Sequence, residues 1–188
     1  AWAIDLICGK QLTTVKPDKS EKFKVYTYEM MDAIKDFTAQ GGNIIVSGAY
    51  IGTDIWSNIY PVQADTTYTK TAIDFARNTL GYRYDGNYGS RNGSLRMTAG
   101  GALRWTDLKS EKYIYNTPNR HCYHVGHPDS IRPSSKASST VIRYGDTGAS
   151  AGTAYSGAGY KAVCFGFPLE TMMDKKDIRA IVEASLEY

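Results

Sequence analysis

Two stretches carry residue types that an acyl-transfer site would need. The first is GGNIIVSGAYIG, residues 41–52. A glycine pair, a short apolar run and small residues before another glycine read as a strand entering a sharp turn. A nucleophile elbow has this form: the strand-to-helix turn lifts a Ser or Cys to its apex, and small flanking residues relieve crowding. With Gly48 and Gly52 as the flanks, the apex is Ala49, Tyr50 or Ile51. None of these is an activated nucleophile for acyl transfer, and Ser47 still lies in the strand. The second stretch is Cys8-Gly9-Lys10, at the end of the opening apolar run. Sites collect at strand C-termini in doubly wound sheets, and a neighbouring lysine can lower a thiol pKa. No histidine is close in sequence, however, and buried structural cysteine is common. Cys164, inside an apolar run, reads as structural.

Two further clusters invite chemistry. All three histidines fall in His121-Cys122-Tyr123-His124-Val125-Gly126-His127. Four potential ligands in seven residues suggest zinc. On a strand, though, His121 and His124 point to opposite faces, and no acidic or Cys partner stands nearby at a familiar spacing; the pattern assigns no metal. Residues 82–112 hold Arg83, Arg91, Arg96, Arg104, Lys109 and Lys112 against Asp85, Asp107 and Glu111, with Tyr82, Tyr84, Tyr88 and Trp105 among them. Aromatic faces stack on sugar rings, and arginine forks pair with carboxylates. An acidic polysaccharide offers both, so Arg83, Tyr84, Tyr88, Arg91 and Trp105 are candidate glycan contacts. A polysaccharide lyase acting by β-elimination needs a base such as Tyr and a group such as Arg to neutralise the uronate. The residue types are present, but their spacing does not establish catalysis.

The elements that must position these residues can be read from periodicity. Ala3–Cys8 is a nearly continuous apolar run, as in a strand covered on both faces. Residues 10–26 read as loop. YTYEMMDAIKDFTAQGG predicts a helix with Thr27 as its cap, Met30, Ala33, Ile34 and Phe37 on one face, and Gly41 as its stop. Asn43–Ala49 is the next strand, so a βαβ unit with parallel strands is expected. Short and long helices follow over 55–60 and 67–80. Short strands are expected at 113–115 and 121–125, and fuller ones at 139–144, 151–155 and 161–167. A closing helix starts at Asp174 or Asp177. The order implies an α/β fold: a three-layer sandwich with a doubly wound, mainly parallel sheet, flavodoxin-like, elaborated by a β-rich insertion over 82–135.

The bulk numbers set bounds. At 188 residues the chain fits one domain, 1–188. A net charge of +3 is too weak to imply nucleic acid. No stretch approaches the ~18 apolar residues of a membrane span. Three cysteines make neither a disulfide framework nor a zinc set. Fifteen tyrosines among many Gly, Ser, Thr and Asn are a composition frequent in extracellular and glycan-handling proteins. Opening in mid-strand with AWAIDLICG, and without an initiator Met, the chain is expected to be a fragment of a larger multidomain protein.

The elbow after GGN, together with the terminal VCFGFPLE, resembles the class I glutamine amidotransferase-like family, whose members carry a G-x-C-x-G elbow and a late His-Pro-Glu that completes a Cys-His-Glu triad. On that pattern Gly48 and Gly52 match the glycines, Tyr50 stands where the Cys would be, Pro168 where the His would be, and Glu170 matches the acid. Tyr and Pro supply neither a thiolate nor a base at neutral pH. The resemblance therefore implies the fold and argues against that chemistry. The ordered blocks IDLICGKQ, GGNIIVSGAYIGTDIW, TLGYRY, SSTVIRY and VCFGFPLET resemble a module of large secreted proteins named as xanthan lyases, from polysaccharide-degrading Gram-negative bacteria. This implies a secreted, cell-surface or periplasmic accessory module with a degenerate site, no cofactor and no metal. Its partners would be other domains of the parent chain and, through glycan contact, acidic polysaccharide. A lyase acting by β-elimination, or a hydrolase using Cys8 or a metal, are the alternatives.

Overall fold

The structure, a computed structural model, describes residues 2–18, 20–57, 66–98, 101–104 and 121–188. Ten strands and four helices follow in chain order among these residues: β1 (Ala3–Gly9), β2 (Thr14–Val15), β3 (Glu21–Lys22), α1 (Tyr28–Ala39), β4 (Asn43–Gly48), α2 (Thr53–Trp56), α3 (Thr66–Asn78), β5 (Tyr82–Gly86), β6 (Leu95–Met97), β7 (Ser130–Pro133), β8 (Ser138–Tyr144), β9 (Ser150–Ser156), β10 (Lys161–Phe165) and α4 (Lys175–Glu187). The fold is mixed α/β. Its main sheet has six strands in the order β1-β4-β10-β9-β8-β6.

Local chemistry accounts for the boundaries. The Thr27 hydroxyl accepts the Met30 amide at 3.2 Å and starts α1, and Gly41, at φ +84°, ends it. The Asp174 carboxylate accepts the Lys176 amide at 2.8 Å and starts α4. Alternation along the strands divides the core. Ile44, Val46, Ala162 and Cys164 pack with Met31 and Ile34 of α1 and with Phe75 and Ala76 of α3. Ile45, Val163 and Phe165 pack with Ile181 of α4 and with Leu169 and Met172.

Four elements differ from the sequence expectation. The sheet is parallel across β1, β4 and β10 only; β10–β9, β9–β8 and β8–β6 are antiparallel. The reason is connection length. Short Gly-containing turns, with Gly148 at φ +71° and Gly159 at φ +90°, join β8 to β9 and β9 to β10, whereas a parallel neighbour needs a crossover of a dozen residues or more. β1 is an edge strand with Ile4 and Ile7 exposed, rather than a strand covered on both faces. The 10–26 loop contains the β2–β3 ladder. Residues 121–125 form turns and irregular backbone, not a strand. The expected strand at 113–115 lies outside the described residues.

Within 82–135, β6 pairs with β8 in the main sheet and β5 pairs with β7 in a separate two-stranded ladder. No described helix is long and apolar enough to cross a membrane.

Candidate functional site

The three parallel strands end together, at Gly9, Gly48 and Phe165, and the elbow follows β4 directly. A Cβ on Gly48 would lie 2.7 Å from the Cys8 Cβ, so only glycine lets β4 pass β1 here. The Ala49 amide donates to the Gly9 carbonyl at 2.8 Å, and the Asp54 amide to the Tyr50 carbonyl at 3.0 Å. The chain therefore turns from strand to helix across residues 49–52, with a half-buried Tyr50 within the turn. Ser47 is fully buried within β4, between Ile7 and Phe165, and no described residue partners its hydroxyl. It is not at an apex.

A carboxylate that sequence reasoning missed closes this turn. Asp129 is fully buried. Its Oδ2 accepts the Gly52 amide at 2.7 Å and the Thr53 amide at 2.8 Å, and its Oδ1 accepts the Thr53 hydroxyl at 2.5 Å. Its own amide donates to the carbonyls of Ala49 (3.0 Å) and Gly166 (2.8 Å), which wedges residue 129 between the ends of β4 and β10. The close approach depends on Gly166, where an added Cβ would collide with the Asp129 carbonyl. Burial drives the Asp129 carboxyl up to about 7, against the three hydrogen bonds that favour its charged form. The Tyr144 hydroxyl donates to the Asp129 carbonyl at 2.7 Å, and the Tyr82 hydroxyl to the Ile51 carbonyl at 2.8 Å. Two of the tyrosines thus brace the elbow from the core. The only local signal for Asp129 was a short polar residue after Pro128 at the entry to β7.

Glu170 reaches the same end of the sheet. Its Oε1 accepts the Tyr123 hydroxyl at 2.6 Å, and its buried Oε2 has no partner among the described residues. Pro168 is buried, and its carbonyl accepts the Thr171 hydroxyl at 2.7 Å. Cys8 is buried nearby. Burial first, then the carboxylates of Glu170, Asp5 and Asp54, push its thiol up to about 12. A nucleophilic cysteine needs the opposite environment, and Lys10 is exposed to solvent.

The basic and aromatic candidates do not converge. Arg83 is exposed on β5 opposite Arg132 of β7, whose guanidinium pairs with Asp85 at 3.1 Å. Tyr84 is the next residue along the strand and points to the other face. There it stacks on Trp56, and its hydroxyl lies 3.3 Å from the Thr53 hydroxyl. A lyase base and its carboxylate clamp cannot be assembled from this pair. Tyr88 is 54% exposed and lies edge-on to His127, with ring centroids 3.9 Å apart. The Arg91 amide donates to Asp146 at 2.8 Å, which anchors that loop to the β8–β9 turn. Trp105 lies outside the described residues.

The histidine cluster is a strap over the strand ends. Tyr123 bonds Glu170 and Val125 is buried in the core, while His121, His124 and His127 are exposed. No three His, Cys, Asp or Glu side chains gather into a metal-binding group among the described residues. Compared with known proteins, the chain matches no family model and no curated protein.

Proposed function

We propose that the chain is a non-catalytic, amidotransferase-like accessory module of a secreted polysaccharide-degrading protein of the group named xanthan lyases, with a structural or glycan-contacting role. In this proposal the sheet is doubly wound and three-layered, with α1 and α3 on one side and α4 on the other. One observation carries the functional reading. The Gly52 and Thr53 amides, which the turn into α2 would otherwise leave without partners, already bind the Asp129 carboxylate and so offer no donor to a reacting group. Tyr50 stands in place of a thiol, and Cys8, at the end of the neighbouring strand against Gly48, is held protonated by its surroundings. The remaining features, Gly9, Gly48 and Gly166, serve close backbone packing. Partners in this reading are neighbouring domains of the parent chain and acidic polysaccharide at the cell surface or in the periplasm of a Gram-negative bacterium.

The test is incubation of the purified chain with xanthan and with uronate-containing oligosaccharides, following absorbance of unsaturated uronate and release of reducing ends. Neither should appear. Turnover that disappears in an Arg83→Ala or Tyr84→Phe variant would overturn the proposal in favour of a lyase.

A further inference from the structure

Tyr88 has a backbone φ of +58°, in the left-handed region that bulky side chains avoid. The surrounding structure imposes this. The Gly89 amide donates to the Pro128 carbonyl at 2.7 Å, and Gly89 packs so tightly on the Tyr144 ring that a Cβ there would collide with it. The Thr147 hydroxyl donates to the Gly89 carbonyl. With residue 89 pinned, the strained Tyr88 presents its ring to solvent, at 54% exposure. An outward aromatic on a strained backbone contributes little to the core, so its stabilising contacts do not explain the strain.

Tyr88 has aromatic company. The His127 ring stands edge-on to it at 3.9 Å between centroids, with an interplanar angle of 70°. Tyr50, at the elbow, is half-buried and lies on the same side of the crevice: the carbonyl of its neighbour Ala49 accepts the Asp129 amide at 3.0 Å, and the adjoining Pro128 carbonyl holds Gly89, next to Tyr88, at 2.7 Å. No described residue hydrogen-bonds the Tyr50 hydroxyl. The floor is sealed by Asp129, whose two oxygens are already engaged. The cluster therefore offers an open ring face, an imidazole edge and an unpartnered hydroxyl over a closed, rigid base.

The geometry points to a shelf formed by Tyr88, His127 and Tyr50 that binds one pyranose ring of a polysaccharide. The apolar C–H face of the sugar lies on the Tyr88 ring, as aromatic faces accept positive edges. Imidazole nitrogens and the Tyr50 hydroxyl exchange hydrogen bonds with the sugar hydroxyls. This deepens the glycan-contacting role proposed above and rests on it, and it moves the contact from the dispersed arginines of 82–112 to the strand-end crevice.

The experiment is calorimetric titration and saturation-transfer NMR of the full chain with a neutral β-glucan oligosaccharide and with a uronate-containing one. Binding of either is expected, with transfer to tyrosine and histidine ring protons. Tyr88→Asn removes the ring and relieves the strain, because Asn tolerates positive φ. It should weaken binding about tenfold or more while leaving the melting temperature unchanged or higher. Tyr88→Phe should retain binding, and Arg83→Ala should not alter it. Two results overturn the shelf: binding of neither oligosaccharide, or unchanged binding in Tyr88→Asn whatever its melting temperature. Cleavage of either oligosaccharide by the wild-type chain would count against the non-catalytic reading and not against the shelf.

Discussion

Replacing Asp129 with asparagine should remove a pH dependence of stability that the wild-type chain carries. The folded pKa of about 7 stands above the ordinary value of 3.8. The folded state therefore holds a proton that the unfolded state has lost across this interval. The stability contributed by the protonated carboxyl is fully present below about pH 4 and is lost as pH rises through 7. At ~1.4 kcal/mol per unit over about three units, the loss is about 4 kcal/mol. That is a large share of the ~5–15 kcal/mol that holds a domain folded. The bonding pattern explains why the proton is tolerated. With Oδ1 protonated, that oxygen can donate to the Thr53 hydroxyl, which then donates onward to Tyr84, while Oδ2 keeps both amides. Asparagine reproduces this arrangement with Oδ1 on the amides and Nδ2 toward Thr53. Urea unfolding at pH 5 and pH 8 checks it. About two of those units lie between pH 5 and pH 8, so the wild-type midpoint should fall by about 1.3 M at the higher pH, for a slope near 2 kcal/mol/M, and Asp129→Asn should lack that component. Other titrating groups are shared by both chains and cancel in the difference. An equal pH slope in the two proteins, or a wild-type stability that rises between pH 4 and 7 through Asp129, would refute the reasoning.

Other outcomes follow from the same end of the sheet. Asp129→Ala strands two backbone amides and a hydroxyl, at about 1–3 kcal/mol each, so it should be several kcal/mol less stable than Asp129→Asn in urea. With a thiol near 12, Cys8 should alkylate about a thousandfold more slowly at pH 8 than an ordinary cysteine; mass mapping should find Cys122 labelled first and Cys8 only on unfolding. Gly52→Ala places a Cβ 2.6 Å from the Tyr84 ring and should lower stability by about 1–3 kcal/mol. Gly166→Ala meets a backbone carbonyl that cannot swing away, and it should reduce the yield of folded protein far more. Tyr123→Phe removes the donor to Glu170 and should lower stability by about 1–3 kcal/mol in thermal melts.

The features legible in the sequence were those written in neighbouring residues. Thr27 and Asp174 cap the helices expected of them because a cap contacts amides two or three residues on. The βαβ unit and the glycine turn at 48–52 were visible for the same reason. The antiparallel half of the sheet was misread because apolar runs such as Lys161–Phe165 look alike in either direction, and only the turn lengths distinguish them. Asp129 was invisible because its partner amides lie 77 residues away, at Gly52. That Tyr84 and Arg83 occupy opposite faces of β5 was not legible from residue type alone. Tyr88 was identified as an aromatic but not as a strained one, since nothing in its neighbours specifies a positive φ.

Asp129 also clarifies what the elbow is for. A strand that turns sharply into a helix leaves amides at the helix start without partners. Here the acceptor is supplied from inside the chain, by a residue whose own amide also bridges the Ala49 and Gly166 carbonyls. One residue thus completes the hydrogen bonding of the turn, joins the ends of two parallel strands and, through Pro128, pins the loop that presents Tyr88. With the amides satisfied internally, residue 50 is not needed to complete the turn and can carry a tyrosine that faces outward, and the rigid floor beneath it gives the proposed shelf a fixed shape.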